Sequence, residues 1–447
     1  MKAGLIDMVF LLPVRHPGLG NTSYLVDLGD GSALVVDPER NPNPYLKAAE
    51  QHRLVIRHVA ETHLHADFVS GALELAKLGA SVIAPRSSHH TYSHLRVGNG
   101  DRVAMGGLVL RVVATPGHTP EHVSFLLEEE SHPRLLFSGG ALLAGGVARP
   151  DLVSPELTWP LAHQAYQSAR RLLTTVPTHV EVWPTHGAGS FCASAGAQPS
   201  EAMSIGSERD RHPAMAAPDA DTFVAELLAG LESYPTYFRR LREVNRMGPK
   251  VLSPSPPRLP LVGSQALAGC TVVDVRPIDR FARGHIPGSV SIALRQQFGT
   301  WLGWLLPSDT PLAFVLDPDQ DEDELIWQAL NVGHEWFIGR IDFADWVASG
   351  GEPAALAVVP ADRIDPEARV VDVRQKSEWA GGHLADALHI ELADLASDPA
   401  RVGGSVVIHC AHGLRAMTAA SLLARAGMGP VAVTTADYSA INGCRRS

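Results

Sequence analysis

The chain has 447 residues, more than a single hydrophobic core usually organises, so about three domains of ordinary size are expected. Its 45% hydrophobic and 19% charged residues are ordinary globular values and exclude global disorder. A formal charge of -11 argues against nucleic acid and anionic membranes as partners, because both require basic patches that displace counterions.

The apolar run from Met8 to Val14, preceded by Asp7 and broken by Pro13, predicts a first strand rather than a signal peptide. No stretch approaches the length of a membrane span. Short β-like runs at Ser32–Val36, Val55–Ala60 and Leu108–Ala114 alternate with helix-length segments such as Gly71–Leu78, an α/β pattern. Leu227, Leu228, Leu231, Phe238 and Leu241 fall near helical spacing and predict a helical segment over Thr222–Val244 that Pro235 must break or kink. The proline-rich stretch Met247–Leu261 reads as a linker. Beyond it the chain repeats itself: Val272-Val273-Asp274-Val275-Arg276 recurs as Val370-Val371-Asp372-Val373-Arg374, and His285 recurs as His383. Two copies of one α/β unit follow, with second buried strands at Leu312–Leu316 and Val406–His409. Cys192, Cys270, Cys410 and Cys444 are scattered without a CxxC pair, which fits individual thiols in a reducing compartment, the cytoplasm by default.

After Val406–His409 the sequence reads Cys410-Ala411-His412-Gly413-Leu414-Arg415 and runs into the apolar helical stretch Ala419–Ala426. A thiol at a helix N-terminus meets inward-pointing N–H groups and a nearby cation, both of which favour the thiolate that attacks sulfane sulfur. Gly413 supplies the backbone freedom of a tight anion-cradling loop, with His412 beside it, and Arg415 suits an oxyanion such as thiosulfate. The plainer alternative is a buried structural cysteine. This copy resembles the rhodanese family over Val359–Met428, and the resemblance names Cys410 as the persulfide-carrying nucleophile. It departs from the family at Ala416, where serine is common, and at the tail Thr434–Ser447. In the first copy the same loop reads Asp317-Pro318-Asp319-Gln320-Asp321-Glu322. Without a thiol that copy resembles a non-catalytic rhodanese fold serving docking or spacing.

A second cluster consists of Thr62-His63-Leu64-His65-Ala66-Asp67-Phe68, then Thr115-Pro116-Gly117-His118-Thr119-Pro120-Glu121-His122, and Trp183-Pro184-Thr185-His186-Gly187. Histidines gathered at strand ends in turn-forming contexts are metal-ligand candidates: here His63, His65, His118 and His186 with Asp67. The constellation resembles the metallo-β-lactamase superfamily over about Leu5–Ile205, and the flanking Arg149-Pro150-Asp151-Leu152 and Ser204-Ile205-Gly206 look like its persulfide dioxygenase branch. That branch fused to two rhodanese domains is an architecture similar to this whole chain. The resemblance implies a mononuclear iron that oxidises a persulfide to sulfite. Phe68 stands where the family has histidine, and Gly140 where it has the aspartate that completes the iron site. Zinc on His63, His65 and His118, or a metal-free pocket, are the alternatives.

The expected architecture is α/β: a metallo-β-lactamase αββα sandwich with a helical extension over 1–246, a linker over 247–260, and two rhodanese-like domains over 261–350 and 356–447. The expected function is sulfane-sulfur transfer through Cys410, with glutathione persulfide, thiosulfate and sulfite as small-molecule partners. A sulfur-relay scaffold with a binding-only front domain is the alternative, and thioester hydrolysis of the glyoxalase type ranks last. The oligomeric state is left open, a homo-oligomer included.

Overall fold

The computed structural model describes residues 10–194, 203–252 and 255–446. Met8 and parts of the linker, Ser253 and Pro254, lie outside the described residues. The chain divides into two units, residues 1–256 with 330–333, and residues 257–329 with 334–447.

In the first unit, β1 (Leu11–His16), β2 (Asn21–Asp27), β3 (Ser32–Val36), β4 (Val55–Ala60), β5 (Ser81–Pro85) and β6 (Leu95–Val97) form one sheet in sequential order. A second sheet runs β11-β10-β9-β8-β7, built from β7 (Arg102–Met105), β8 (Leu108–Ala114), β9 (Val123–Glu129), β10 (His132–Gly139) and β11 (Glu181–Pro184). Its helices are α1 (Asn43–Gln51), α2 (Ala72–Lys77), α3 (Pro155–Thr175), α4 (Ile205–Arg211), α5 (Pro213–Ala216), α6 (Ala220–Ala229) and α7 (Phe238–Met247).

The period of two along each strand sorts the apolar side chains into layers. Leu25, Ala33 and Val35 face Tyr45 and Ala48 of α1 and Ala72 and Leu75 of α2. Their neighbours Tyr24, Val26, Leu34 and Val36 point the other way, against Phe125, Leu127 and Phe137 of the second sheet. Leu126 and Leu136 in turn back onto Ala162, Ala165, Ala169 and Leu172 of α3. The result is helix, sheet, sheet, helix. Strands buried on both faces need apolar residues on both, which is why these runs read as nearly continuous Val, Leu and Ala. The helical segment expected over Thr222–Val244 is α6 and α7, separated around Pro235.

The second unit carries the repeat. Its first sheet runs β13-β12-β14-β15, from β12 (Thr271–Asp274), β13 (Val290–Ser291), β14 (Leu312–Val315) and β15 (Phe337–Ile341), with helices α8 (Ile278–Arg283), α9 (Phe298–Leu305), α10 (Glu322–Asn331) and α11 (Phe343–Ala348). Its second runs β16-β20-β19-β17-β18, from β16 (Ala357–Val358), β17 (Arg369–Asp372), β18 (Leu388–His389), β19 (Val406–His409) and β20 (Val431–Val433). The helices of that copy are α12 (Lys376–Ala380), α13 (Leu392–Ser397), α14 (Leu414–Arg425) and α15 (Tyr438–Arg446). Every pairing within both sheets is parallel.

The repeated Asp-x-Arg is a structural clamp. Arg276 binds Asp274 through Nη2 at 2.6 Å and the Gly284 carbonyl at 2.9 Å, with its guanidinium 4.0 Å over the Phe343 ring. Arg374 does the same with Asp372 at 2.6 Å, the Gly382 carbonyl at 2.8 Å and the Tyr438 ring at 4.9 Å. His285 and His383 each stack on the aromatic residue four positions earlier, Phe281 and Trp379. Both copies keep this scaffold whether or not the loop after their second buried strand carries a thiol.

Candidate functional site

In the first unit the polar residues gather where β3, β4, β10 and β11 end. Four histidines share one arrangement: a rear nitrogen is engaged and a forward nitrogen is left over. His63 Nδ1 meets Thr62 Oγ1 at 2.8 Å, His118 Nδ1 meets the Arg149 carbonyl at 2.7 Å, and His186 Nδ1 meets Asn21 Oδ1 at 3.0 Å. His65 Nε2 lies 3.2 Å from Asp37 and 3.1 Å from Glu61. On the forward side His63 Nε2 and His186 Nε2 approach to 3.4 Å, and the buried His118 Nε2 and His65 Nδ1 have no hydrogen-bond partner. Burial first, then the neighbouring histidines, hold His63 and His118 well below the usual imidazole range, so both are neutral and offer lone pairs. Buried, orphaned imidazole nitrogens with hydrogen-bonded rear atoms fit a divalent metal ion, because the rear partner fixes tautomer and ring orientation. Nitrogen and ligand atoms of His63, His65 and His186 lie within 4.8 Å of one another, as do those of His118, His186 and Cys192.

The structure thus brings together His63, His65, His118 and His186, all 2% exposed or less. It places Asp67 behind His186, accepting from Asn21 at 2.7 Å and 3.4 Å from His186 Nδ1. Burial opposes its charge, but His186 and Asn21 hold the Asp67 carboxyl below the usual range. Phe68 is fully buried and stacks on His65, ring centroids 4.3 Å apart. At Gly140 the backbone N–H donates to His122 Nε2 at 2.9 Å, and His122 Nδ1 meets Thr115 Oγ1 at 2.9 Å. His122 therefore has both nitrogens engaged and stands outside the donor set.

Sequence reasoning missed Asp37, Glu61 and Cys192. Asp37 accepts from the Thr62 N–H and hydroxyl, each at 2.7 Å, and from Thr185, while facing His65. It adopts a left-handed backbone, φ 49°, a conformation uncommon outside glycine and tolerated best by Asn and Asp. Burial opposes the charge on His65, but Asp37 and Glu61 raise its pKa to about 10. Burial pushes the Glu61 carboxyl up while His65 keeps Asp37 below the usual range despite its own burial. The signal available for Asp37 was its place directly after the buried strand Ser32–Val36. For Cys192 it was its position six residues after His186.

In the second unit, Cys410 follows β19, and Gly413 precedes α14 with a left-handed backbone, φ 82°. The Gly413 N–H donates to Cys410 Sγ at 3.1 Å, and the thiol residue is 1% exposed. A Cβ at position 413 would come within 2.7 Å of the Thr435 side chain, so glycine is required for both torsion and space. His412 is exposed at the loop tip. The Arg415 fork does not point into an open loop: it binds both carboxylate oxygens of Glu378, one at 2.7 Å. In the first copy, Asp317 pairs with Arg280 at 2.7 Å and Asp321 caps α10. Cys270 lies ahead of β12, away from that loop, and its thiol points to the Leu267 carbonyl at 3.4 Å.

Family models agree with this division. The metallo-beta-lactamase superfamily model matches residues 16–186, and the rhodanese-like domain model matches twice, at 262–349 and 359–444. The chain is a fusion of a metallo-beta-lactamase superfamily domain with two rhodanese-like domains. Among similar proteins, the hydroxyacylglutathione hydrolase of Nitrobacter winogradskyi is 35% identical over 127 residues, 28% of this chain and 48% of that one. The mitochondrial persulfide dioxygenase ETHE1 of Mus musculus is 29% identical over 182 residues, 40% of this chain and 68% of that one. A metallo-beta-lactamase crystal structure from Staphylococcus aureus subsp. aureus COL matches with a TM-score of 0.67 at 27% identity, covering 74% of this chain and 99% of that one. The chain spans about half the length of the first curated relatives it matches. Among the described residues no helix is long and apolar enough to cross a membrane.

Proposed function

We propose that the chain is a sulfurtransferase of sulfur metabolism that carries sulfane sulfur as a persulfide on Cys410. The observation that carries this reading is the Cys410 loop, where a strand end, the Gly413 N–H and the start of α14 converge on one sulfur. The Cys410 thiolate attacks the sulfane sulfur of thiosulfate. A new S–S bond forms, the old one breaks, and its electron pair leaves with sulfite. An acceptor nucleophile then takes the terminal sulfur and returns Cys410 to the thiolate. Incubating the full chain with sulfane-labelled thiosulfate and mapping peptides by mass spectrometry is expected to place one labelled sulfur on Cys410 and none on Cys270. Label on Cys270 alone would overturn the assignment.

For the first unit the reading is a metal-holding pocket that presents or oxidises small persulfides, with His63, His65, His118 and His186 as the residues that would hold iron or zinc. Bound there, a metal would supply Lewis-acid or redox chemistry. The chain's own residues set the limits: Asp67 orients His186, Asp37 and Glu61 orient His65, and Gly140 offers no carboxylate. An imidazole-only set lacks the negative charge that stabilises Fe(II), so iron is expected to be bound weakly and persulfide dioxygenase activity to be low. Restoring an aspartate is not a single-residue change here. A Cβ at position 140 would stand 2.8 Å from the Ala148 Cβ and 2.9 Å from the His118 ring. Gly140→Asp is therefore expected to displace His118 and leave iron content low by metal analysis, and adding Ala148→Gly, which relieves only one of the two contacts, should not restore it. Full iron loading with fast oxygen uptake in the wild type would sink the low-activity reading.

A second reading, thioester hydrolysis, is favoured by the similarity to hydroxyacylglutathione hydrolases. It is opposed by Phe68 and Gly140, which remove ligands of a second metal position. Turnover of a hydroxyacylglutathione thioester, absent in the first reading, separates the two.

A further inference from the structure

The first rhodanese-like copy has no thiol in its loop, yet it packs against the start of α14, the helix that follows the Cys410 loop. Ile292, Ala293, Arg295, Phe298 and Trp301 of that copy enclose a cleft with Leu414, Arg415 and Thr418 at the start of α14. The two walls are joined by hydrogen bonds: Thr418 Oγ1 donates to the Ser291 carbonyl at 2.6 Å, and the Ser291 N–H donates to Ser421 Oγ at 3.0 Å.

Two arginines reach this cleft, and their partners differ. Arg415, the residue expected to grip an oxyanion, has its fork closed on Glu378. Arg295 donates from Nη1 to the neutral side chain of Gln297 at 2.7 Å, and among the described residues no carboxylate lies within ion-pair distance of it. Burial first, then the Arg415 charge, push the Arg295 guanidinium below the usual arginine range, and the Cys410 sulfur acts in the opposite sense. A half-buried cation beside a second cation, without a carboxylate of its own, is stabilised by an anion that comes to its guanidinium. Guanidinium is the side chain best matched to tetrahedral sulfur oxyanions, through paired N–H donors.

We propose that Arg295, supplied by the copy whose loop lacks a cysteine, is the anion-recognising residue of the Cys410 site, binding the sulfonate end of thiosulfate and the sulfite that leaves. The inert copy thereby completes the active one, which goes beyond docking or spacing. The proposal rests on the Cys410 transfer reading, and the test separates the two. In the full chain, Arg295→Met should raise the KM for thiosulfate about tenfold, the loss of one charge-assisted hydrogen-bond pair, with a smaller effect on kcat. Inhibition by sulfite should weaken in parallel, and Arg295→Lys should recover most of the loss. Calorimetric titration of thiosulfate into Cys410→Ser protein, with and without Arg295→Met, reads binding without turnover. An equal Kd in both, or no binding in either, overturns the role of Arg295. Retained transfer in Cys410→Ser overturns the transfer reading instead, while the two titrations still decide what Arg295 does.

Discussion

Serine in place of Cys410 is expected to lower thiosulfate:cyanide sulfur transfer by at least about a thousandfold. The substitution changes one atom and leaves the loop intact: the Gly413 N–H can donate to a hydroxyl as it does to Sγ, and the site is buried either way. What is lost is the nucleophile. A hydroxyl is not ionised at neutral pH even at a helix N-terminus, and it cannot store a sulfane sulfur as a persulfide. Because the fold is unperturbed, circular dichroism and thermal unfolding should match the wild type, which separates chemistry from stability. Wild-type transfer in the Ser variant, together with loss in Cys444→Ser, would move the nucleophile to the C-terminal helix.

The second large effect concerns stability. Asp37→Ala should destabilise the first unit by about 3–5 kcal/mol, the range for removing one partner of a buried ion pair. Three groups lose their acceptor at once, the Thr62 N–H and the Thr62 and Thr185 hydroxyls, and His65 loses one of its two carboxylates. Denaturant unfolding of chelator-treated protein measures the loss. The pH dependence has a defined sign. With the folded pKa of His65 raised to about 10 against ~6.5 unfolded, the pair's contribution is complete below the unfolded value and is lost as pH rises toward 10. The gap between wild type and variant should accordingly shrink on the alkaline side. A gap independent of pH from 6 to 10 would show that His65 carries no charge in the fold.

The fold was legible wherever periodicity alone decides. Ser32–Val36, Val55–Ala60, Leu108–Ala114 and Val406–His409 are strands over those same residues, because short runs rich in β-branched residues and leucine, bounded by turn-forming residues, leave little choice. Pro235 announced the break between α6 and α7. The helix after Cys410 was expected from Ala419 and instead begins at Leu414, since Gly413 in a left-handed conformation can start it at once. The histidines and Cys410 of the candidate sites stand out in the sequence, where motif spacing is local. Their supports do not. Glu378 lies 37 residues from Arg415 in sequence, Asp37 meets Thr185 across 148, and the partner of His122 is a backbone N–H that no side-chain pattern marks. Arg295 belongs to a different copy of the repeat, so only the packing of the two copies brings it beside Arg415 at the start of α14.

The hydroxyls of Thr418 and Ser421 have a second consequence. β13 is the outermost strand of its sheet, and its Ser291 N–H and carbonyl are satisfied by those two side chains. An outermost strand with open backbone groups is a template for pairing with other chains. In this protein the second copy therefore acts as a cover for the edge of the first. Expressing the first copy alone would uncover that edge and invite self-association, and expressing the last copy alone would leave the Thr418 and Ser421 hydroxyls without the Ser291 backbone they bind.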